Sequence, residues 1–179
     1  FPALGVLDGK AVSEVYVNHI IFVFVGGFIM ALAMEKWNLH KRIALKLLVL
    51  IGVSPGRILV GFMATSAFLS MWISNTATTL MLLPVALAVL EKANGDRLAI
   101  PLLLGIAYAA SVGGIGTPIG TPPNLVFMQV YQDTTGDVVT FTEWMVWGVP
   151  VVLCMLPLMA LWLTRNLRGS SGVVVPAVG

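Results

Sequence analysis

A chain of 179 residues that is 58% hydrophobic and only 10% charged, with a mean hydropathy of +0.96, lies far from soluble composition, in which about 25% of residues are charged. It reads as an all-α integral membrane protein, because its apolar runs are long and unbroken, whereas barrel strands would alternate over ~10 residues. The net charge of +2 comes from scattered basic residues with no basic face interleaved with aromatics, so the expected surroundings are a lipid bilayer and no nucleic acid. The single Cys154 excludes an internal disulfide and reads as a structural thiol in an apolar run. No signal peptide is visible and the chain begins at Phe1 rather than Met, so a fragment or trimmed chain is expected.

In chain order, Phe1–Glu14 carries Asp8, Lys10 and Glu14 and reads as an external approach. Val15–Met34 is uncharged for 20 residues, enough for one span. Gly26 and Gly27 at its middle are expected to let another helix approach closely. In Asn38–Gly52, Leu39, Ile43, Leu47 and Ile51 recur every four residues while Arg42 and Lys46 share another face, the pattern of an amphipathic interfacial helix. Residues 1–57 are thus expected to be a scaffold-type span and interfacial helix, closed by Ser54-Pro55-Gly56.

Ile58–Leu90 is charge-free for 33 residues. One helix of that length would be ~50 Å long against a hydrocarbon core of ~30 Å, and two full spans with a turn need more than ~40 residues. The run is too long to cross once and too short to cross twice. A re-entrant hairpin fits, with arms Ile58–Trp72 and Ala77–Leu90 and the tip Ser74-Asn75-Thr76 inside the membrane. Pro84 is expected to bend the second arm. Polar groups at that depth are tolerated only where protein or a wet cavity satisfies them. After the polar turn Glu91–Arg97, a second uncharged run, Leu98–Gln132, is interrupted by Gly113-Gly-Ile-Gly-Thr-Pro-Ile-Gly-Thr-Pro-Pro-Asn124. Gly costs ~1 kcal/mol and Pro ~3 kcal/mol in a helix interior, so a broken helix is expected, with halves Leu98–Val112 and Leu125–Gln132. Residues 58–132 then form a transport-type unit, 133–168 an external loop (Asp133–Glu143) with a final span (Trp144–Thr164), and 169–179 a tail. Of the 10 Lys and Arg residues, all but Lys10 fall on one side of this topology, which the positive-inside rule makes cytoplasmic.

Two membrane segments interrupted near mid-depth are the architecture of secondary-transporter sites, where half-helix N-termini face anions and freed carbonyls coordinate cations. Asn75 and Thr76 at the second arm, and Thr121 and Asn124 at the second half-helix, can offer donors to a carboxylate. Ser70 and Ser74 share a helix face, and their oxygens, with carbonyls near Gly116–Gly120, can replace the water shell of Na⁺. Taken singly, Ser66, Ser70, Thr78 and Thr79 read as hydroxyls bonded back to a carbonyl or to a neighbour. Gly114-x-Gly116 lacks the third glycine of a dinucleotide turn, and there is no P-loop. His19 and His40 give no metal-ligand spacing. No nucleophile–base pair is present, so no enzyme is expected.

The stretch Phe68-Leu-Ser-Met-Trp-Ile-Ser-Asn-Thr-Ala-Thr78, followed by the Gly/Pro stretch 113–124, resembles the divalent anion/sodium symporter family of dicarboxylate and citrate transporters, some of which are exchangers. Val25–Glu35 also fits, so the resemblance covers about Asp8–Arg168. It implies two inverted repeats, each with a re-entrant hairpin and a broken helix, of which this chain is the N-terminal one. It implies a Na⁺ ion held by Ser70, Ser74, Asn75 and the carbonyl of Gly120, and a substrate carboxylate touched by Asn75, Thr76 and Thr121. It also implies a missing C-terminal repeat with the second half of the pocket, a homodimer when full length, and a bacterial inner membrane. The leading expectation is the N-terminal half of a Na⁺-coupled dicarboxylate symporter of elevator type. The alternatives are a Na⁺-independent exchanger, which dependence of uptake on a Na⁺ gradient would separate, and a non-transporting fragment or assembly subunit, which reconstitution would reveal.

Overall fold

Proline opens two of the described helices and glycine closes one of them, whereas Pro84, Pro101, Pro150 and Pro157 lie inside helices. The computed structural model describes residues 10, 19–37, 42, 46, 54–93, 96–165 and 167. Every regular element among them is helical: α1 (His19–Lys36), α2 (Pro55–Ser70), α3 (Asn75–Ala93), α4 (Asp96–Gly113), a 3₁₀ turn at Gly114–Gly116, α5 (Pro122–Thr135) and α6 (Phe141–Arg165). The interfacial helix expected over Asn38–Gly52 lies largely outside the described residues; within it, Arg42 and Lys46 are helical and exposed. The tail 169–179 lies outside them entirely.

Ser54, in extended conformation, precedes Pro55 at the start of α2, and the Ile58 N–H donates to the Ser54 carbonyl at 2.9 Å. The arms are three residues longer at each outer end than the charge-free run, because a helix has no reason to stop where charge begins. α2 and α3 are joined by residues 71–74, pack on one another, and both pack on α4. The helix break also falls where expected: α4 ends at Gly113 and α5 resumes at Pro122. α5 stops at Gly136, whose φ of 81° puts it in the left-handed region and whose N–H donates to the Gln132 carbonyl, the usual glycine helix terminator. α6 opens with a reciprocal cap. The Thr140 N–H and Oγ1 both donate to Glu143 Oε2, at 2.7 and 2.8 Å, while the Glu143 N–H donates to Thr140 Oγ1.

The core forms where α2 crosses α4, from Leu59, Phe62, Met63 and Ala67 against Leu102, Ile106 and Ala109, with Leu82 and Ala86 of α3 and Val152 of α6 at its sides. In a bilayer, apolar burial gives no drive for helix association, so close van der Waals packing has to supply it. Two glycines permit that approach. A Cβ on Gly105 would lie 2.7 Å from Leu59 Cδ1, and one on Gly113 would fall on the Ala67 backbone. Ser66 Oγ adds a bond across the crossing, donating to the Ile106 carbonyl at 2.7 Å. In α1, Gly27 packs instead against a loop side chain, Ile119, and Gly26 has nothing within 4 Å of a Cβ. The close approach expected there is thus made to a loop, and at one of the two glycines.

Two described segments are long and apolar enough to cross a membrane, Arg97–Gly116 and Phe141–Arg165, their most apolar windows 50% and 11% buried. The second turns most of its surface outward, with Leu153, Leu161 and Trp162 each more than 60% exposed. So large an apolar face is what a bilayer accommodates and water does not.

Candidate functional site

The tip of the hairpin and the break in the second run meet. Thr117, fully buried in the break, donates from Oγ1 to the Met71 carbonyl at the end of α2, and the same Oγ1 accepts the Gly120 N–H at 3.1 Å. These bonds fasten the loop 117–121 to the tip. Gly120 then sits so close that a Cβ there would lie 2.9 Å from the Ser70 carbonyl oxygen and 2.5 Å from that of Gly114. Gly114 in turn faces Asn75: a Cβ on it would be 2.6 Å from Asn75 Oδ1. Only glycine fits at either position, because backbone approaches backbone on one side and the Asn75 amide on the other.

Of the residues expected at the site, the structure brings Ser70, Asn75 and Gly120 together. Ser70 is buried, and its Oγ donates to Asn75 Oδ1 at 2.5 Å. Asn75 is the first residue of α3 and half-buried. Ser74 is exposed and caps α3, its Oγ accepting the Ala77 N–H at 3.2 Å and its carbonyl the Thr78 N–H at 2.9 Å. Thr76 is exposed in the first turn of α3. Thr121 is half-buried, extended, and precedes α5 without a side-chain capping bond. Among the hydroxyls expected to bond locally, Thr79 bonds back to the Asn75 carbonyl at 2.8 Å and Ser66 bonds across to α4. Thr78 Oγ1 is buried with no partner.

The two helix N-termini at this junction are not alike. At α3 the Ala77 and Thr78 N–H groups are taken by Ser74, which leaves those of Asn75 and Thr76 without an acceptor among the described residues. At α5 the first two positions are Pro122 and Pro123, which have no N–H, and the Asn124 N–H donates to the Thr121 carbonyl at 3.1 Å. Asn124 offers no side-chain donor either. Its buried Nδ2 donates to the carbonyls of Gly114 and Thr117, at 2.8 Å each, which uses both amide protons. The donor role expected for Asn124 gives way to a clamp that holds the loop shut. Thr117 is the residue that sequence reasoning passed over; its one signal is the spacing to Gly120, three residues on, as in hydroxyl-closed turns.

On its far side the break is held by α6. Trp144 Nε1 donates to the Ile115 carbonyl at 2.8 Å, and a Cβ on Gly148 would lie 2.6 Å from the same oxygen. Phe127 of α5 packs edge-on against Trp144, ring centres 5.8 Å apart. The junction as a whole offers neutral oxygens, amides and helix ends. Among the described residues no cluster of His, Cys, Asp or Glu could hold a metal ion.

Comparison with known proteins follows the same residues. A family model described as citrate transporter matches residues 1–175. A relative named sodium-dependent dicarboxylate transporter SdcS, from Staphylococcus saprophyticus, is 45% identical over 166 residues, covering 87% of this chain and 32% of its own. One of the same name from Staphylococcus aureus strain NCTC 8325 is 43% identical over 173 residues, covering 90% of this chain and 33% of its own. The chain therefore spans about a third of the length of these relatives. The family resemblance carried by the two motifs is borne out, and the family and these relatives are transporters rather than enzymes.

Proposed function

This chain belongs to the citrate transporter family, and we propose that it forms the N-terminal inverted repeat of a Na⁺-coupled transporter of dicarboxylates or related divalent anions in a bacterial inner membrane. The observation that carries this reading is the junction of hairpin tip and helix break at Ser70, Asn75, Gly114 and Gly120, built without an ionised side chain. A neutral polar site in a membrane meets charge with dipoles, hydroxyls and amides, and a co-bound cation offsets the charge of an anion. The names of the relatives, which specify sodium and dicarboxylate, support the same pairing.

In this reading Na⁺ is carried as a substrate. It is held by Ser70 Oγ, Ser74 Oγ, Asn75 Oδ1 and the Gly120 carbonyl, an all-oxygen neutral set suited to a hard monovalent ion. The Ser70 hydroxyl gives up its bond to Asn75 Oδ1 when both oxygens turn to the ion. A substrate carboxylate lies beyond it, taking the Asn75 Nδ2, the Thr76 hydroxyl and the free N–H groups at the start of α3, with Thr121 on the other side. Residues 58–132 move as the transport unit in an elevator-type shift, with α2 and α3 re-entering from the cytoplasmic face. Residues 1–57 belong to the scaffold, and 133–168 supply an external loop and a final span. An inverted second repeat lines the rest of the pocket, and the complete transporter is a homodimer.

Succinate binding titrated against Na⁺ in the assembled transporter tests this. Ser70→Ala and Asn75→Ala each delete one oxygen at a desolvated site, a loss of ~1–3 kcal/mol, and should weaken the Na⁺ dependence about five- to 150-fold. Unchanged Na⁺ dependence in both variants would remove the cation site, and succinate binding that ignores Na⁺ altogether would favour an exchanger.

A further inference from the structure

Away from the junction, α2 and α6 enclose an apolar groove of about 380 Å³, within the ~300–1,000 Å³ range of ligand pockets. Val60 and Ala64 line it from α2, and Ala160, Leu161 and Thr164 from α6. The lining itself is uncharged, but helical spacing puts two arginines just beyond one end of it. Arg57 lies three residues before Val60 and seven before Ala64, on the face of α2 that lines the groove. Arg165 follows Thr164 directly and lies four residues after Leu161, at the edge of the face of α6 that lines the groove. The two helix ends adjoin, since a Cβ on Gly56 would lie 3.8 Å from Thr164 Cγ2. Both arginines are exposed, and neither has a carboxylate partner among the described residues.

We propose that this groove binds an anionic phospholipid, with one acyl chain against Val60, Ala64, Ala160 and Leu161 and the headgroup phosphate between Arg57 and Arg165. The pairing follows from chemistry at both ends. An apolar trough on a lipid-facing helix takes a hydrocarbon chain, and guanidinium groups hold a phosphate through paired N–H donors. The side agrees too: Arg57 and Arg165 belong to the basic side of the molecule, and anionic lipids are concentrated in the cytoplasmic leaflet. The site needs α6 to lie in a bilayer and is independent of whether the chain transports anything.

Native mass spectrometry of the delipidated chain tests it, with phosphatidylglycerol and phosphatidylcholine of identical acyl chains as probes. Phosphatidylglycerol should be retained about tenfold more than phosphatidylcholine. The double variant Arg57→Gln/Arg165→Gln should bring it to the phosphatidylcholine level, whereas Arg97→Gln, an exposed charge off the groove, should not. Ala160→Phe, which fills the groove, should lower retention of both lipids; if that variant does not fold, the exposed double variant decides alone. Equal retention of the two lipids, phosphatidylglycerol retention unaffected by the double variant, or its displacement by inorganic phosphate would each overturn the proposal.

Discussion

Asn124 spends both amide protons on loop carbonyls, while Asn75, half-exposed at the start of α3, keeps its Nδ2 clear of acceptors among the described residues. The same side chain therefore serves opposite ends in two places, and substitution should separate them. Asn124→Ala takes a donor from two buried carbonyls, of which that of Thr117 keeps only the longer bond from the Gly120 N–H at 3.3 Å, and a buried group left unsatisfied costs ~1–3 kcal/mol. It should lower the thermal midpoint of the purified chain strongly, and a midpoint within a degree of the parent would mean that the loop is held by other bonds. Ser74 is subtler, because its Oγ caps α3 and is also a proposed Na⁺ ligand. Alanine there would confuse the two roles, since losing a serine cap costs ~0.5–2 kcal/mol, whereas glycine at an N-cap costs only a few tenths. Ser74→Gly should therefore leave stability almost unchanged and weaken the Na⁺ dependence of substrate binding. A variant that binds Na⁺ normally would reduce Ser74 to a cap.

Between elements, the tightest contact is the crossing of α2 and α4 at Gly113, where a Cβ would fall on the Ala67 backbone. Backbone cannot yield as a flexible side chain can, so Gly113→Ala should force the helices apart and cost ~1–3 kcal/mol. Gly26→Ala, in the open interior of α1, should be neutral or stabilise by ~0.4–1 kcal/mol through the loss of backbone freedom. Thermal melting of the pair in one detergent is the measurement, and equal midpoints would contradict the packing described. These elements were legible in the sequence because their causes are local. A 33-residue uncharged run and the Gly/Pro density of 113–124 can be measured without knowing what they touch. The contacts were not legible. That Asn124 reaches back to Gly114, that Thr117 reaches Met71, and that Ile119 rather than a helix meets Gly27 depend on how the loop 117–121 folds, and no periodicity encodes that. Within the site, Ser70 and Asn75 were grouped only by the family resemblance, since the helix face read from spacing joined Ser70 to Ser74, whereas the loss of donors at α5 lay open in Pro122-Pro123 and was passed over.

For the molecule as a whole, the hairpin sets Arg57 in the first turn of α2 and Lys92 in the last turn of α3 at one end, and α6 returns its Arg165 end to Gly56 beside Arg57. Asp133 in the last turn of α5, Asp137 in the connection and Glu143 in the first turn of α6 form an acidic stretch without Lys or Arg. In the topology proposed above, the basic helix ends and this acidic stretch lie on opposite sides of a bilayer, the distribution that fixes orientation during insertion. Single cysteines at positions 57, 92 and 137, in a Cys154→Ala background, should report it to an impermeant thiol reagent. Positions 57 and 92 should label from the cytoplasmic side and 137 from the other. Labelling of 57 and 92 from opposite faces would turn the proposed re-entrant hairpin into a simple crossing.

The prolines at the head of α5 carry a kinetic consequence for the proposed pocket. A helix end without N–H donors still exerts its field, yet it fastens nothing in a particular direction. In the proposed pocket the directional hold on the break side reduces to the Thr121 side chain, and the main tether is the start of α3, around which an anion can pivot. Leaving then requires the rupture of one main set of bonds, so dwell time on this repeat is governed chiefly by the start of α3. The expected outcome for the proposed pocket is turnover favoured over retention and tolerance of anions of unequal length, because its second wall attracts while measuring little.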